Sequence, residues 1–373
     1  MLDEMLDDLR ALVEVESPTS DPAAVARAAE VLTGQLQRRV GGSGTIGEDG
    51  RLTWAVEGSG GDRQDRPVLV LGHLDTVWPH GTLERLPFHV GEERITGPGV
   101  FDMKGGLVAV VHAMERLARA GRLPAVRLLI TADEEVGAPR SRGAVEEEAR
   151  RCGRVLVPEP CGPDGAVKVG RKGMAHVRVV VHGRAAHSGL DPELGINAAT
   201  ALGSLLPRIE RLSDPARGTT VVPTLVRAGS TINTVPARAE ADLDVRFADP
   251  GEAERVRRDL ASLPPPPGTR VEIHADINRG PLTEAAVAPL LPALDAAADV
   301  VGQSVGRVSV GGVSDGNLAA GAGAVVLDGL GPDGDGAHAE HEHLRLDRFV
   351  ARVDLLEELL PRVAGVEALD RNA

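Results

Sequence analysis

The stretch Val68-Leu69-Val70-Leu71-Gly72-His73-Leu74-Asp75-Thr76-Val77 decides the fold class. Its first four residues form an apolar run of the kind that buries a parallel strand on both faces. Gly72 closes the run, and a histidine and an aspartate follow two residues apart. Side chains at i and i+2 of an extended chain point the same way. The spacing therefore sets an imidazole beside a carboxylate that can fix its tautomer, the arrangement behind a metal-bound histidine. On its own such a pair is more often a surface ion pair. Four further acidic or histidine clusters, at strand ends or in adjoining loops, change that reading.

Outward from this strand, helical and strand patterns alternate as far as about residue 170. Leu2, Leu6, Leu9 and Val13 share one helical face, and Ser17-Pro18-Thr19 ends that helix. A second helix is expected over 23–39 and a third over 104–120, with strands over 52–56, 68–72, 126–131 and 154–157. The alternation predicts an α/β fold: a central, mostly parallel mixed sheet flanked by helices. Ligands of such sheets sit beyond the carboxyl ends of the strands, and the His, Asp and Glu clusters fall there.

From about 172 the pattern changes. Ala175, Val177, Val179 and Val181 alternate with other residues and predict a strand with one buried face. A helix over 196–212, strands over 220–226 and 240–247, a helix over 252–263 and a strand over 270–277 follow, with Pro264–Gly268 breaking the second helix. The order β-α-β-β-α-β is the split, ferredoxin-like α+β motif. The α/β pattern resumes near Pro281, with a helix over 285–301, a strand over 307–310 and a helix over 347–363. The expected organisation is a catalytic domain in two parts, 1–171 and 281–373, holding an inserted domain, 172–280.

Composition bounds the function. Of 373 residues, 42% are hydrophobic and 26% charged, as in a soluble globular protein with room for more than one core. A formal net charge of −14 without a basic stripe excludes a nucleic-acid partner. No apolar run approaches the ~20 residues that span a bilayer. The acidic start, Met1-Leu2-Asp3-Glu4, lacks the features of a signal peptide. Two cysteines, Cys152 and Cys161, make no disulfide framework, so the cytoplasm is the expected compartment.

The chemistry gathers in five places. His73 and Asp75 come first, and Asp102 follows in Gly99-Val100-Phe101-Asp102-Met103-Lys104-Gly105-Gly106. A strand then ends in Asp133-Glu134-Glu135, three adjacent acids that repel each other unless a dication offsets them. Glu159 stands in Val157-Pro158-Glu159-Pro160, and His338 in Gly336-Ala337-His338-Ala339-Glu340-His341-Glu342-His343. Two histidines, a shared aspartate and two glutamates suit a pair of zinc ions bridged by one carboxylate. Sites of that kind space their ions about 3.5–4 Å apart and hold a hydroxide between them. A further glutamate must then take the water's proton and pass it to the leaving amine.

The ordered set HLDTV, GVFDMKGG, TADEEVG, VPEP, GRKG, HGRAAHSG, INTVPARAEADLDVR, GGVSDGN and GAHxxxE resembles the co-catalytic zinc amidohydrolases. That family includes glutamate carboxypeptidases, acetylornithine deacetylases, succinyl-diaminopimelate desuccinylases and aminoacylases. The resemblance covers essentially the whole chain, and GGVSDGN and GDGAHAEHEH are most similar to the glutamate carboxypeptidase branch. It implies two Zn2+ per subunit, with Co2+ or Mn2+ as substitutes. In its terms His73 binds one ion, Asp75 orients it, Asp102 bridges both and Glu159 completes the first. Glu135 and His338 hold the second, and Glu134 is the general base. The peptide bond after Asp102 is commonly cis in the family. In the inserted domain, a lid and dimerisation domain by this resemblance, His187 would reach the partner subunit's site and stabilise the oxyanion. Asn233 and Arg246 would recognise the substrate carboxylate, and the 311–317 loop, with Gly312 and Ser314, would line the pocket.

The implied activity is hydrolysis of an amide bond in an N-acyl amino acid or short peptide bearing a free carboxylate, by a cytoplasmic homodimer. A deacylase of the acetylornithine or succinyl-diaminopimelate type is the alternative within the family. A single-metal dipeptidase, or a non-catalytic binding protein of the same fold, stands outside it. Among the other histidines, His341 and His343 are expected to be exposed, and His80, His89, His112 and His274 structural.

Overall fold

The computed structural model describes residues 1–59 and 66–366. Every residue of the strand Val68–His73 is buried, as its unbroken apolar run requires. It pairs in parallel with Val126–Thr131 on one side and with Arg154–Val157 on the other. Val325–Asp328 extends this parallel core beyond Arg154–Val157. The full sheet has eight strands, in the order Ser43–Ile46, Leu52–Val56, Val126–Thr131, Val68–His73, Arg154–Val157, Val325–Asp328, Val167–Arg171 and Arg307–Val310. Leu52–Val56 runs antiparallel to both of its neighbours, so the sheet is mixed around a parallel centre.

Helices flank the sheet, among them Leu2–Val13, Pro22–Arg39, Gly105–Arg119 and Leu346–Ala364. Each turns an apolar face to a single core that also takes up the sheet's Val, Leu and Ile residues. Asp21 starts the second helix: its carboxylate accepts from the amides of Ala23 and Ala24, and Pro22 occupies the first turn.

The chain folds into two compact units. The first comprises Met1–Gly170, Leu282–Val310 and Ser314–Ala373, and the second Arg171–Pro281 with Gly311–Val313. The second unit holds a four-stranded antiparallel sheet in the order Thr220–Ala228, Arg238–Phe247, Gly173–His182 and Arg270–Arg279. Its odd-numbered residues, Val177, Val179, Leu243 and Val245 among them, form a core with the helices Ala198–Glu210 and Pro250–Ser262.

Several elements differ from the sequence expectation. The helix expected over 285–301 is three short pieces, Glu284–Val287, Ala288–Leu290 and Leu291–Val301. Pro289 and Pro292 sit in the first turns of the second and third pieces, where a missing N–H and a fixed φ restart a helix. The helix expected from 104 begins at Gly105, because Asp102 and Met103 leave helical geometry at φ −115° and −130°. Three strands of the main sheet go beyond the expectation: Ser43–Ile46, Val167–Arg171 and Val325–Asp328. So does a small sheet of Gly334–Asp335, His343–Arg345, Arg94–Thr96 and His89–Val90, each strand too short to display a period.

Candidate metal centre

The parallel strands deliver the site. His73 ends its strand opposite Thr131 in register, so the chain leaving Thr131 carries residues 133–135 out beside it. The strand Arg154–Val157 delivers Glu159 two residues beyond its end. Asp102 lies in the turn before the helix Gly105–Arg119, and the Asp102–Met103 peptide is cis. His338 comes from the segment joining Gly334–Asp335 to His343–Arg345, with a left-handed φ of 64°.

The Asp102 carboxylate lies between the two imidazoles. Its Oδ1 is 3.3 Å from His73 Nε2 and its Oδ2 is 3.4 Å from His338 Nε2. Glu159 Oε1 stands 3.5 Å from His73 Nε2, and Glu135 Oε2 stands 3.0 Å from His338 Nε2. Ligand bonds of about 2.0–2.2 Å in a tetrahedral shell separate neighbouring donors by roughly 3.3–3.6 Å. The donors are therefore spaced as they would be around ions. His73, Asp102 and Glu135 offer ligand atoms within 4.8 Å of one another, and so do His73, Glu134 and Glu159.

The charges of the site point the same way. Burial pushes the His73 imidazole down, but Asp102, Asp75 and Glu159 outweigh it and hold the group well above the usual histidine range. Asp102 and Glu135 push His338 up to about 10. Burial raises the Asp102 carboxyl, yet the two imidazoles draw it well below the ordinary carboxylate value. Burial dominates at Glu135 and raises it. Protons on two imidazoles thus answer an excess of carboxylate charge that a divalent cation answers better. The residues fit a metal.

Asp75 is buried and works by a different route from the one its spacing suggests. His73 Nδ1 donates to the backbone carbonyl of Asp75 at 2.9 Å, whereas the carboxylate Oδ1 is 3.5 Å away. The strand ends at His73, so the two side chains no longer alternate as on an extended chain. The Asp75 carboxylate instead accepts from Thr19 Oγ1 at 2.8 Å and from the amides of Glu134 and Glu135 at 3.3 and 3.2 Å. One residue thereby sets the imidazole and the two glutamates together. Asp133, the third acid of its run, turns away: it accepts from the Arg140 amide at 2.7 Å and from the Ser141 hydroxyl. Two carboxylates of this run, Glu134 and Glu135, lie in the clusters with His73, and Asp133 does not.

The other residues singled out in the sequence lie elsewhere. His187, Asn233, Arg246 and Gly312 belong to the second unit. His187 and Asn233 are exposed on two paired loops, where the Ser188 amide donates to the Asn233 carbonyl at 3.0 Å. His187 Nδ1 accepts from the amides of Gly189 and Leu190, both at 3.1 Å, which leaves Nε2 to carry the proton of the neutral ring. Arg246 is held by Asp244 in a bidentate pair at 2.7 and 2.9 Å. The Gly312 carbonyl accepts from Arg171 at 3.4 Å. Ser314 is buried in the first unit, where it caps the helix Asp315–Gly321 and donates to Asp328 at 2.6 Å. His343, expected to be exposed, is buried, with Nδ1 donating to the His341 carbonyl at 2.9 Å.

Two supporting residues escape the sequence reading. Glu342 collects four donors around the Asp102 turn, and only its place at the end of GAHxxxE could have marked it. Lys104 is buried and donates to the Leu12 and Val15 carbonyls at 3.0 and 3.1 Å, which ties that turn to the first helix. Burial brings its ammonium down to about 8.

Among the described residues, no helix is long and apolar enough to cross a membrane. Carboxypeptidase G2 of Pseudomonas sp. (strain RS-16) is 30% identical, over 95% of this chain and 88% of its own. Succinyl-diaminopimelate desuccinylase of Alkalilimnicola ehrlichii is 31% identical, over 84% of this chain and 87% of its own. An M20 family metallo-carboxypeptidase from Sulfolobus solfataricus has the same fold, with a TM-score of 0.77 at 19% identity over 97% and 99% of the two chains. Residues 69–362 match the model of Peptidase family M20/M25/M40. With its donor residues gathered at the carboxyl ends of a mixed, mostly parallel sheet, the chain belongs to peptidase family M20/M25/M40 and is a hydrolase of amide bonds.

Proposed function

We propose that the chain is a two-zinc carboxypeptidase of the glutamate carboxypeptidase kind, cleaving the amide bond of an N-acyl amino acid or short peptide with a free carboxylate. One observation carries the two-metal reading: the two oxygens of Asp102 are divided between His73 at 3.3 Å and His338 at 3.4 Å. His73, Asp102 and Glu159 would hold one ion, and Asp102, Glu135 and His338 the other. When bound, the pair supplies Lewis acidity that polarises the scissile carbonyl and acidifies water. Glu134, its amide pinned by Asp75, takes the water's proton and delivers it to the leaving amine, so amide and water become carboxylate and amine. His187 donates a hydrogen bond from its Nε2–H to the oxyanion of the tetrahedral intermediate and keeps the proton. Asn233 and Arg246 bind the substrate carboxylate, Arg246 through the part of its fork that Asp244 does not occupy. Gly312 and Ser314 shape the pocket loop.

On this reading the protein is a cytoplasmic homodimer joined through residues 172–280, with His187 acting in the partner's site. An exposed edge supports that association: Thr220–Ala228 is an outer strand of its sheet and leaves Val222, Leu225 and Val226 exposed. A deacylase of the desuccinylase type fits the same metal centre, and the 31% identity to such an enzyme favours it as the second reading.

The test is Glu134→Ala on zinc-reconstituted protein. Turnover is expected to fall about 10²–10⁴-fold while two zinc ions per chain remain bound, because a general base is removed and no proposed ligand is lost. Near-normal turnover sinks the general-base assignment, and fewer than one zinc per chain in the parent sinks the two-metal one. A screen of N-acyl amino acids, dipeptides and folate-type glutamates, scored by released amine, separates carboxypeptidase from deacylase.

A further inference from the structure

Within the first unit lies a cavity of about 550 Å³ that shares no residue with the metal centre. Its walls are the loop from Gly302 to Gly306, the turn from Pro163 to Gly165, and the helix Leu346–Ala364, which contributes Arg348 and Arg352. Hydrogen bonds join these walls. Val167 donates to the Gly306 carbonyl at 2.9 Å, and Gln303 Nε2 donates to the Ala351 carbonyl at 2.8 Å.

Arg352 is the anomaly. It is only 6% exposed, and an unpaired charge at such a depth is costly. Its Nη2 donates to the Gly165 carbonyl at 3.1 Å, while Nη1 is buried with no hydrogen-bond partner among the described residues. Gly165 is needed for this contact: a Cβ there would come within 3.2 Å of Nη2. Two carboxylates, Asp164 and Asp333, line the same cavity, and Asp333 favours the charge on Arg352, but neither is a hydrogen-bond partner of Nη1. Asp333 pairs with Arg345 at 3.7 Å. Burial pushes the Cys161 thiol up, and its hydrogen goes to the Pro332 carbonyl at 3.4 Å. Arg348, one turn earlier on the same helix face, adds a second guanidinium to the lining.

We propose that this cavity binds a small oxyanion, a carboxylate or phosphate group, through Arg352 Nη1 and the Arg348 guanidinium. A guanidinium fork matches either anion in a bidentate manner. The site is not isolated from the chemistry, since Glu159 and the turn at Pro163–Gly165 belong to one loop. An anion held by Arg352 braces the far end of the loop that carries Glu159. The inference does not depend on which substrate the enzyme cleaves.

The test is titration of the metal-loaded enzyme with inorganic phosphate and with acetate against chloride at constant ionic strength, read as the thermal unfolding midpoint. Three proteins are compared: the parent, Arg352→Gln, and Ser304→Trp, which fills the cavity from an exposed position. A saturable rise in midpoint is expected in the parent. It should need about tenfold more anion, or more, in Arg352→Gln, and vanish in Ser304→Trp. Anion reaching the metal centre acts equally on all three, so the difference between them isolates the cavity. Saturation by phosphate alone or by acetate alone upholds the site and names its ligand. The same response in the parent and both variants overturns it, and if Arg352→Gln does not fold, Ser304→Trp decides.

Discussion

The buried carboxylate of Glu342 receives the backbone amide of Asp102 at 3.1 Å. The same Oε1 takes the Phe101 amide at 2.9 Å, and Oε2 takes the Gly99 amide and Trp78 Nε1 at 2.9 and 2.8 Å. Four donors from two segments thus converge on one side chain, which sets the turn that aims Asp102. Glu342→Gln removes an acceptor and places an NH2 group against amide donors. The expected result is a zinc affinity lowered about 10–100-fold, the range for groups that orient metal ligands, with a lower unfolding midpoint. Zinc titration against a competing chelator measures it. An unchanged affinity would show that the Asp102 turn is set without Glu342.

Removal of metal should destabilise the first unit. Asp102, Glu134, Glu135 and Glu159 crowd around two imidazoles, and a ligand that binds only the folded state adds stability by mass action. At a free concentration a thousand times the dissociation constant, that amounts to about 4 kcal/mol. Calorimetry before and after chelation is expected to show a lower midpoint, restored by zinc. Equal midpoints would mean that no metal is held there.

The parallel strands and the donor residues were legible because each rests on a local pattern. An unbroken apolar run marks a strand buried on both faces, and polar residues of one chemical type recur at its end. What escaped depends on the chain's return from far away. Asp75 suggests a partner for His73 from spacing alone, yet its carboxylate grips the amides of Glu134 and Glu135, which follow the neighbouring strand. Asp133 looks equivalent to its two neighbours until Ser141 folds back on it. No periodicity announces Val325–Asp328, four residues long with its entire length buried.

Acid should strip stability from a charged cluster remote from the site. Asp8 is buried, with Arg39 Nε at 2.5 Å and His112 Nε2 at 2.9 Å, and Arg39 also reaches Glu115 at 3.0 Å. Burial raises the Asp8 carboxyl, but the hydrogen bonds from His112 and Arg39 outweigh it and hold the group below its ordinary value of 3.8. A folded-state value below the unfolded one gives stability that is complete above the unfolded pKa and lost as pH falls through the folded one. Asp8→Asn is expected to cost about 1–3 kcal/mol near pH 7, since it takes from Arg39 one of its two buried carboxylates, Glu115 being the other, and from His112 a charged partner. The gap to the parent should stay constant down to about pH 4 and close below it. Denaturant unfolding at a series of pH values measures the gap, and one that does not change with pH would remove Asp8 as its source.

Gly106 couples the Asp102 segment to the loop that carries Glu159. A Cβ at Gly106 would lie 1.9 Å from the carbonyl oxygen of Pro158 and 3.2 Å from its Cβ, the first a distance that no packing accommodates without backbone movement. The helix Gly105–Arg119 therefore begins with glycine so that its first turn can press against the chain one residue before Glu159. In Gly106→Ala the helix gains intrinsic propensity, but the methyl must displace either the helix or the Pro158 carbonyl. Overpacking of this kind costs about 1–3 kcal/mol, more than the roughly 1 kcal/mol that alanine returns over glycine in a helix. A shift of Glu159 away from His73 would follow if the loop is what moves, so zinc affinity should fall together with stability. Gly143, where a Cβ meets nothing within 4 Å in the helix Arg142–Cys152, is the control: Gly143→Ala is expected to stabilise the protein and leave zinc binding unchanged. Parallel chemical unfolding and zinc titration of the two variants decide the matter, and a Gly106→Ala protein as stable and as zinc-avid as Gly143→Ala would refute the coupling.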